Sequence, residues 1–459
     1  MAAAAEDRTV MLPNSFNKTR IMKIHVKKSS IVRPALAIPE KKLWNSNLDL
    51  LVPTVHISTV YFYRQLPNDS SNFFDPRILK KALSCALVQF FPMAGRLGLD
   101  ENGRLEIWCN GDGVLFVEAD LNDVTFDDLE DFTPSLKLQE LLVPTVDYSK
   151  DIYSHPLLLL QVTRFKCGGV CLGVGLHHTL SDGSSAIHFI NTWAEWTRGV
   201  SISIPPYIDR TVLRLGVPPY PTFDHIEYDP PPAMKTSTKT VELQSSPCST
   251  AILKLSVDQI NALKSKSKPD HGTTIRYSTY EILAAHIWRC MCKARGLSDD
   301  QTSKLYMPID GRSRLNPPLP YGYMGNVLFS CTSILKSGDI QSQPLISIVK
   351  KVHEALKKMD DEYLKSALAF IEQQPDLTVL KRGAHTFKCP NLNVVSWMRL
   401  PIYDSDFGWG SPIYMGPASV IFEGMVYILP NPIKNGSFSL ALCLETNHMQ
   451  IFKKCLYDF

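Results

Sequence analysis

Leu176-His177-His178-Thr179-Leu180-Ser181-Asp182-Gly183 closes a β-rich run and opens a helical one, and its reading decides the fold. Before it, Pro156 to Phe165 and Gly169 to Leu176 are apolar, and Lys166-Cys167-Gly168-Gly169 between them predicts a hairpin. After it, Ser184 is placed to cap a helix whose apolar positions Ile187, Ile190, Ala194 and Thr197 recur at helical spacing, with Gly199 as its stop. Strand, His-x-x-x-Asp-Gly and helix together set a histidine at a rim, which is where a general base is needed. Adjacent strand residues face opposite sides, so one of His177 and His178 turns away, and no metal is assigned.

Further along stands Asp406-Phe407-Gly408-Trp409-Gly410. Together with the histidine motif, and with Leu43-Trp44-Asn45-Ser46-Asn47-Leu48-Asp49-Leu50, Asn72-Phe73-Phe74-Asp75-Pro76, Phe91-Pro92-Met93-Ala94-Gly95-Arg96-Leu97 and Tyr277-Ser278-Thr279-Tyr280-Glu281, it resembles the plant BAHD acyltransferases. Within that family the chain is similar to the hydroxycinnamoyl-CoA shikimate/quinate branch. The resemblance implies an α/β fold of two chloramphenicol-acetyltransferase-like domains, each a mixed β-sheet flanked by helices, with an active-site channel along their interface. It also implies a coenzyme A thioester as substrate, with no resident cofactor.

Composition agrees with this and excludes other classes. The 459 residues exceed what one core usually organises, so two or three domains are expected. A net charge of +3, from 48 basic and 45 acidic residues, carries no basic stripe, which argues against nucleic acid. No apolar run approaches a membrane span, and the N-terminus lacks the apolar core of a secretory signal. The 11 cysteines include no Cys-x-x-Cys pair, which suits free thiols in a reducing cytoplasm. A cytoplasmic monomer acting on small molecules is the expectation.

The domain reading follows the composition along the chain. Residues 1–21 have no packing period and are expected to be a disordered extension before the strand-like Met22-Lys23-Ile24-His25-Val26. Residues 22–203 form the domain with the histidine motif, and 204–238, dense in proline, read as an extended crossover. Residues 239–459 form a second domain carrying Asp406 to Gly410, with strands at Ala251–Leu255, Met425–Pro430 and Phe438–Leu444 and helices at Ser256–Lys264 and Thr279–Ala294.

The resemblance assigns roles residue by residue. His178 is the general base, and Trp397 offers its indole N–H to the tetrahedral oxyanion. Asp182 holds the corner by pairing with an arginine, for which Arg312 and Arg314 are candidates. Asp406, Gly408 and Gly410 support the site structurally. Arg382 matches the arginine that anchors an acceptor carboxylate, and Tyr61 belongs to the same acceptor surface. Ile57 and Val395 are apolar where shikimate-type enzymes carry hydroxyls, which points to quinate and chlorogenate-type esters. Shikimate and 4-hydroxyphenyllactate, the latter giving rosmarinate, remain as alternatives. A thioesterase would use the same base on water, and a non-catalytic relative would bind without turnover; Arg382 argues against the first, and intact His178, Asp182 and Trp397 against the second.

Overall fold

Leu158–Phe165 and Val170–His177 pair antiparallel around the expected turn, with Leu158 opposite Leu176. Every residue of the second strand is buried, which is why the sequence shows an unbroken apolar run in place of alternation. Gly173 makes a close approach possible: a Cβ there would lie 1.8 Å from the Leu142 carbonyl oxygen, at the end of the helix Leu136–Leu142. The computed structural model describes residues 7–13, 19–65, 72–129, 131–215, 220–235, 247–268 and 274–458.

The chain forms two compact units. The first comprises Met1–Arg214, Leu319–Val327 and Leu400–Ser419, and the second Leu215–Pro318, Leu328–Arg399 and Val420–Phe459. The first holds a seven-stranded mixed sheet in the order Arg8–Pro13, Thr19–Val32, Val114–Leu121, Leu158–Phe165, Val170–His177, His56–Tyr63, Tyr414–Pro417. A smaller sheet joins Lys41–Trp44, Leu105–Cys109 and Arg96–Leu99. Helices Pro76–Gln89 and Gly183–Thr197 pack together, and Trp193, fully buried on the latter, donates its indole N–H to the Leu79 carbonyl at 3.0 Å.

The second unit is built on a six-stranded mixed sheet in the order Cys248–Leu255, Phe438–Glu445, Met425–Pro430, Leu392–Ser396, Thr302–Asp310, Leu328–Lys336. Helix Thr279–Ala294, begun by a Ser278/Glu281 capping box, is buried along most of its length. Each unit therefore has the mixed-sheet-and-helix plan expected.

Three boundaries differ from the sequence reading. Arg8–Pro13, within the expected disordered extension, is a strand paired with Thr19–Ile24, and Val10 joins Met22 and Ile24 in the core, while residues 1–6 and 14–18 of that extension lie outside the described residues. Asp406 to Gly410 lies in the first unit and not in a C-terminal domain, because Tyr414–Pro417 pairs with His56–Tyr63 and carries the preceding loop with it. The proline-rich stretch is more than a spacer: Arg210 is 2% exposed in the first unit and Glu227 3% exposed in the second.

Candidate active site

His178 follows the strand Val170–His177 directly and occupies a tight turn in which the Leu180 N–H donates to the His177 carbonyl at 2.9 Å. Its own N–H donates to the Val55 carbonyl at 3.0 Å, extending the pairing with the strand His56–Tyr63. The helix Gly183–Thr197 is capped by Asp182 and not by Ser184, since the Asp182 side chain accepts from the Ser185 N–H at 3.1 Å. Its other oxygen accepts from the Val327 N–H at 3.1 Å. Ser185 Oγ bonds the Tyr323 and Gly325 carbonyls at 3.1 Å each, so the segment Tyr323–Val327 is laced along the corner.

The imidazole of His178 is half-buried, with Nδ1 sealed from solvent. No group among the described residues bonds Nε2, which leaves that nitrogen as the open one. Burial lowers the pKa of His178 below 6.5, against a smaller opposing pull from its own carbonyl, Asp182, the Ser181 backbone and Asn326. The ring is thus neutral, and able to accept a proton, at neutral pH. We expect the acid limb of kcat/KM to lie at lower pH than an ordinary histidine would give, in a profile measured with an acceptor that remains ionised throughout. Stability runs in the same direction: on acidification below 6.5 the unfolded chain takes up a proton that native His178 resists, so folding weakens as pH falls.

His177 faces away, as strand alternation requires. It is 4% exposed and meets His56 edge-on with ring centroids 5.1 Å apart, and burial holds its pKa well below 6.5. The Ser185 and Val327 N–H groups each donate to a different oxygen of Asp182, and replacing it with asparagine sets an amide NH2 against one of them. Asp182→Asn should lower unfolding stability by about 1–3 kcal/mol, read from denaturant or thermal unfolding. An unshifted transition with abolished turnover would make Asp182 a direct partner in the chemistry.

The Asp406 loop is tied to the far end of that helix. Asp406 Oδ1 accepts from the Gly408 and Gly410 N–H groups at 2.8 and 2.9 Å, and its carbonyl accepts from Arg198 Nη1 at 2.7 Å. Gly408 and Gly410 have φ of +104° and +91°, backbone that disfavours any side chain. Phe407, 1% exposed, packs edge-on against Trp193 at 4.8 Å.

Ile57 and Tyr61 lie on the strand His56–Tyr63, opposite Leu176 and Leu172. Ile57 is half-buried, while Tyr61 is 2% exposed and burial raises its phenol pKa.

The second unit carries the remaining expected residues. Val395, half-buried on Leu392–Ser396, lies opposite Tyr427, and Trp397 follows that strand with its ring 5.2 Å from Tyr427. The Arg382 guanidinium lies over two rings, 5.0 Å from Tyr306 and 5.6 Å from Tyr228, and donates from Nη2 to the Glu227 carbonyl at 2.9 Å. Nε and Nη1 have no protein partner among the described residues, which leaves part of the planar fork for an external carboxylate. Beside it, Lys304 is fully buried and bonded to the Ile226 carbonyl at 2.6 Å; burial first, and Arg382 second, pull its pKa down to about 8. Arg312 bonds Asp310 Oδ1 at 3.1 Å and Arg314 bonds the Met359 carbonyl at 2.8 Å, both within this unit.

Sequence reasoning missed Asn326, Arg210 and the buried Asp49 that binds both. Asn326 Nδ2 donates to the His178 carbonyl at 2.8 Å, and Arg210 donates to the carbonyls of Leu180 and Thr179 at 2.5 and 3.4 Å. A cluster of polar residues inside the apolar run Leu43 to Leu51 was the one available signal, because buried polar groups need partners.

Comparison with known proteins agrees with this architecture. Residues 22–459 match the model of the transferase family. The chain is 56% identical over 440 residues to a shikimate O-hydroxycinnamoyltransferase of Nicotiana tabacum, covering 95% of this chain and all of that protein. It is 48% identical over 442 residues to a rosmarinate synthase of Plectranthus scutellarioides, with the same coverage. The crystal structure of vinorine synthase superposes with a TM-score of 0.71 at 21% identity, covering 93% of this chain and 96% of that one, a likeness of fold alone. With the histidine corner, the Asp406 loop and a match that runs over residues 22–459 in hand, the chain belongs to this transferase family, the BAHD acyltransferases, among their hydroxycinnamoyltransferases.

Proposed function

We propose that the protein transfers a hydroxycinnamoyl group from its coenzyme A thioester to a hydroxyl of a carboxylated acceptor, with shikimate as the leading acceptor. The observation that carries the reading is His178, whose imidazole is neutral at neutral pH and open only at Nε2. The tobacco relative is named for shikimate.

The acceptor hydroxyl attacks the thioester carbonyl carbon while His178 Nε2 takes its proton. The oxyanion that forms is met by the Trp397 indole N–H, in the role that the resemblance gives that residue. Collapse breaks the carbon–sulfur bond, and the imidazolium returns the proton to the thiolate. No acyl-enzyme is required, because the thioester is already activated. Arg382 receives the acceptor carboxylate on the part of its fork that Glu227 leaves open. The same resemblance supplies Arg312 or Arg314 as the partner of Asp182.

Quinate is the second reading, favoured by the apolar side chains of Ile57 and Val395 where a hydroxyl would suit shikimate. Hydroxyphenyllactate is a third acceptor with the required carboxylate, and a relative at 48% identity is named as a rosmarinate synthase. A competition assay with p-coumaroyl-CoA and equimolar shikimate, quinate and hydroxyphenyllactate tests the order. Shikimate ester is expected in excess. Chlorogenate-type ester in excess would transfer the assignment to quinate and give Ile57 and Val395 the deciding role.

A further inference from the structure

Nδ1 of His178 and Oδ1 of Asn326 are both sealed from solvent, and neither meets a partner in good hydrogen-bond geometry. The Asn326 side chain acts on the imidazole and its Nδ2 donates to the His178 carbonyl at 2.8 Å, which places the amide at this histidine. The orientation of the Asn326 amide is not arbitrary. Nδ2 also lies 3.0 Å from Asp49 Oδ1, so both of its neighbours are acceptors and the NH2 must be the group facing them. Oδ1 is therefore fixed on the other side, as an acceptor without a donor of its own.

Asp49 is locked in turn. It is fully buried, accepts the Asn326 N–H at 2.7 Å and the Ser46 N–H and Oγ–H at 2.8 and 2.7 Å, and pairs with Arg210 at 3.3 Å. Arg210 also reaches Asn45 Oδ1 at 2.6 Å and the carbonyls of Thr179 and Leu180. Two separate parts of the sequence, Asn326 and Arg210, thus grip three successive carbonyls of the loop, those of residues 178, 179 and 180, and Asp49 joins the two. The groups that act on the imidazole through hydrogen bonding, its own carbonyl, the Ser181 backbone and Asn326, all favour a proton on the ring. The charged or titratable neighbours are Asp182, His177 and, behind His177, His56 and His155.

We propose that Asn326, held by the buried Asp49–Arg210 pair, is a positioning residue that keeps the proton of neutral His178 on Nδ1 and the lone pair on Nε2. The proposal rests on the reading of His178 as the general base. A base whose proton sits on the wrong nitrogen presents N–H, and not a lone pair, to the attacking hydroxyl.

The test is nitrogen NMR of the full chain labelled with 15N-histidine, above neutral pH, with the His178 signals identified by their loss in His178→Gln. The parent is expected to show the Nδ1–H form, and a parent in the Nε2–H form overturns the proposal without any variant. Asn326→Ala is expected to mix the two forms and to lower kcat by about 10²-fold, with KM for p-coumaroyl-CoA little changed. It should also shift the acid limb of kcat to lower pH, since an interaction that favours the charged ring has gone. A folded Asn326→Ala that keeps the parental tautomer and kcat overturns the proposal. If that variant does not fold, Arg210→Lys decides, with partial mixing expected and an unchanged tautomer contradicting. Loss of the tautomer preference together with normal turnover of His178→Ala would instead sink the general-base reading and leave the positioning intact.

Discussion

His178→Ala is expected to lower kcat by about 10²–10⁴-fold while KM for p-coumaroyl-CoA stays nearly constant, because a general base acts in the transition state and contributes little to ground-state binding. The structure sharpens this expectation. The His178 loop is tied by its backbone, through the Val55 carbonyl, Asn326 and Arg210, and not through the imidazole, so truncating the ring leaves those ties in place. The variant should therefore fold normally, and its defect should lie in the chemical step. Steady-state kinetics with far-UV circular dichroism checks both. His177→Ala makes the contrast: that ring packs on His56 and away from the open nitrogen, so its loss should affect stability more than kcat.

Arg382→Ala is expected to raise KM for the carboxylated acceptor by about 10–100-fold, corresponding to ~1.5–3 kcal/mol for a charge-assisted bond, with KM for the acyl-CoA little changed. Arg382 is held by Tyr228, Tyr306 and the Glu227 carbonyl, so its side chain is ordered before any ligand arrives and little entropy is lost on binding. Arg382→Lys should recover only part of the loss, since an ammonium on a flexible stem cannot reproduce the planar fork. Acceptor saturation curves for the parent and both variants read this directly. An equal rise in KM for a neutral alcohol would show that the substitution disturbs packing and does not remove a carboxylate contact.

Much of the fold was legible because its signals are local. The hairpin around Lys166–Gly169 and the helix after Asp182 follow from turn residues and periodicity within some forty residues. What failed to show was long-range pairing. Tyr414–Pro417 joins a strand more than 350 positions earlier, and nothing in its composition announces that partner, so the Asp406 loop was placed in the wrong domain. The proline density after residue 204 leaves room for short helical turns at Arg210–Leu213 and Ile226–Tyr228, and it said nothing about Arg210 and Glu227, single charged residues that meet Asp49 and Tyr363 from far along the chain. At the site, His178, Asp182 and Arg382 stand inside recognisable strings. Asn326 does not, because its role comes from meeting Asp49 and the His178 carbonyl across gaps of 277 and 148 residues.

The central claim is acyl transfer to an organic acceptor, and the most direct measurement is thiol release from p-coumaroyl-CoA with and without shikimate, with ester quantified in the same samples. Release that depends on shikimate and equals the ester formed is the predicted result. Release at the same rate without any acceptor would mean that water is the nucleophile, and would contradict the account.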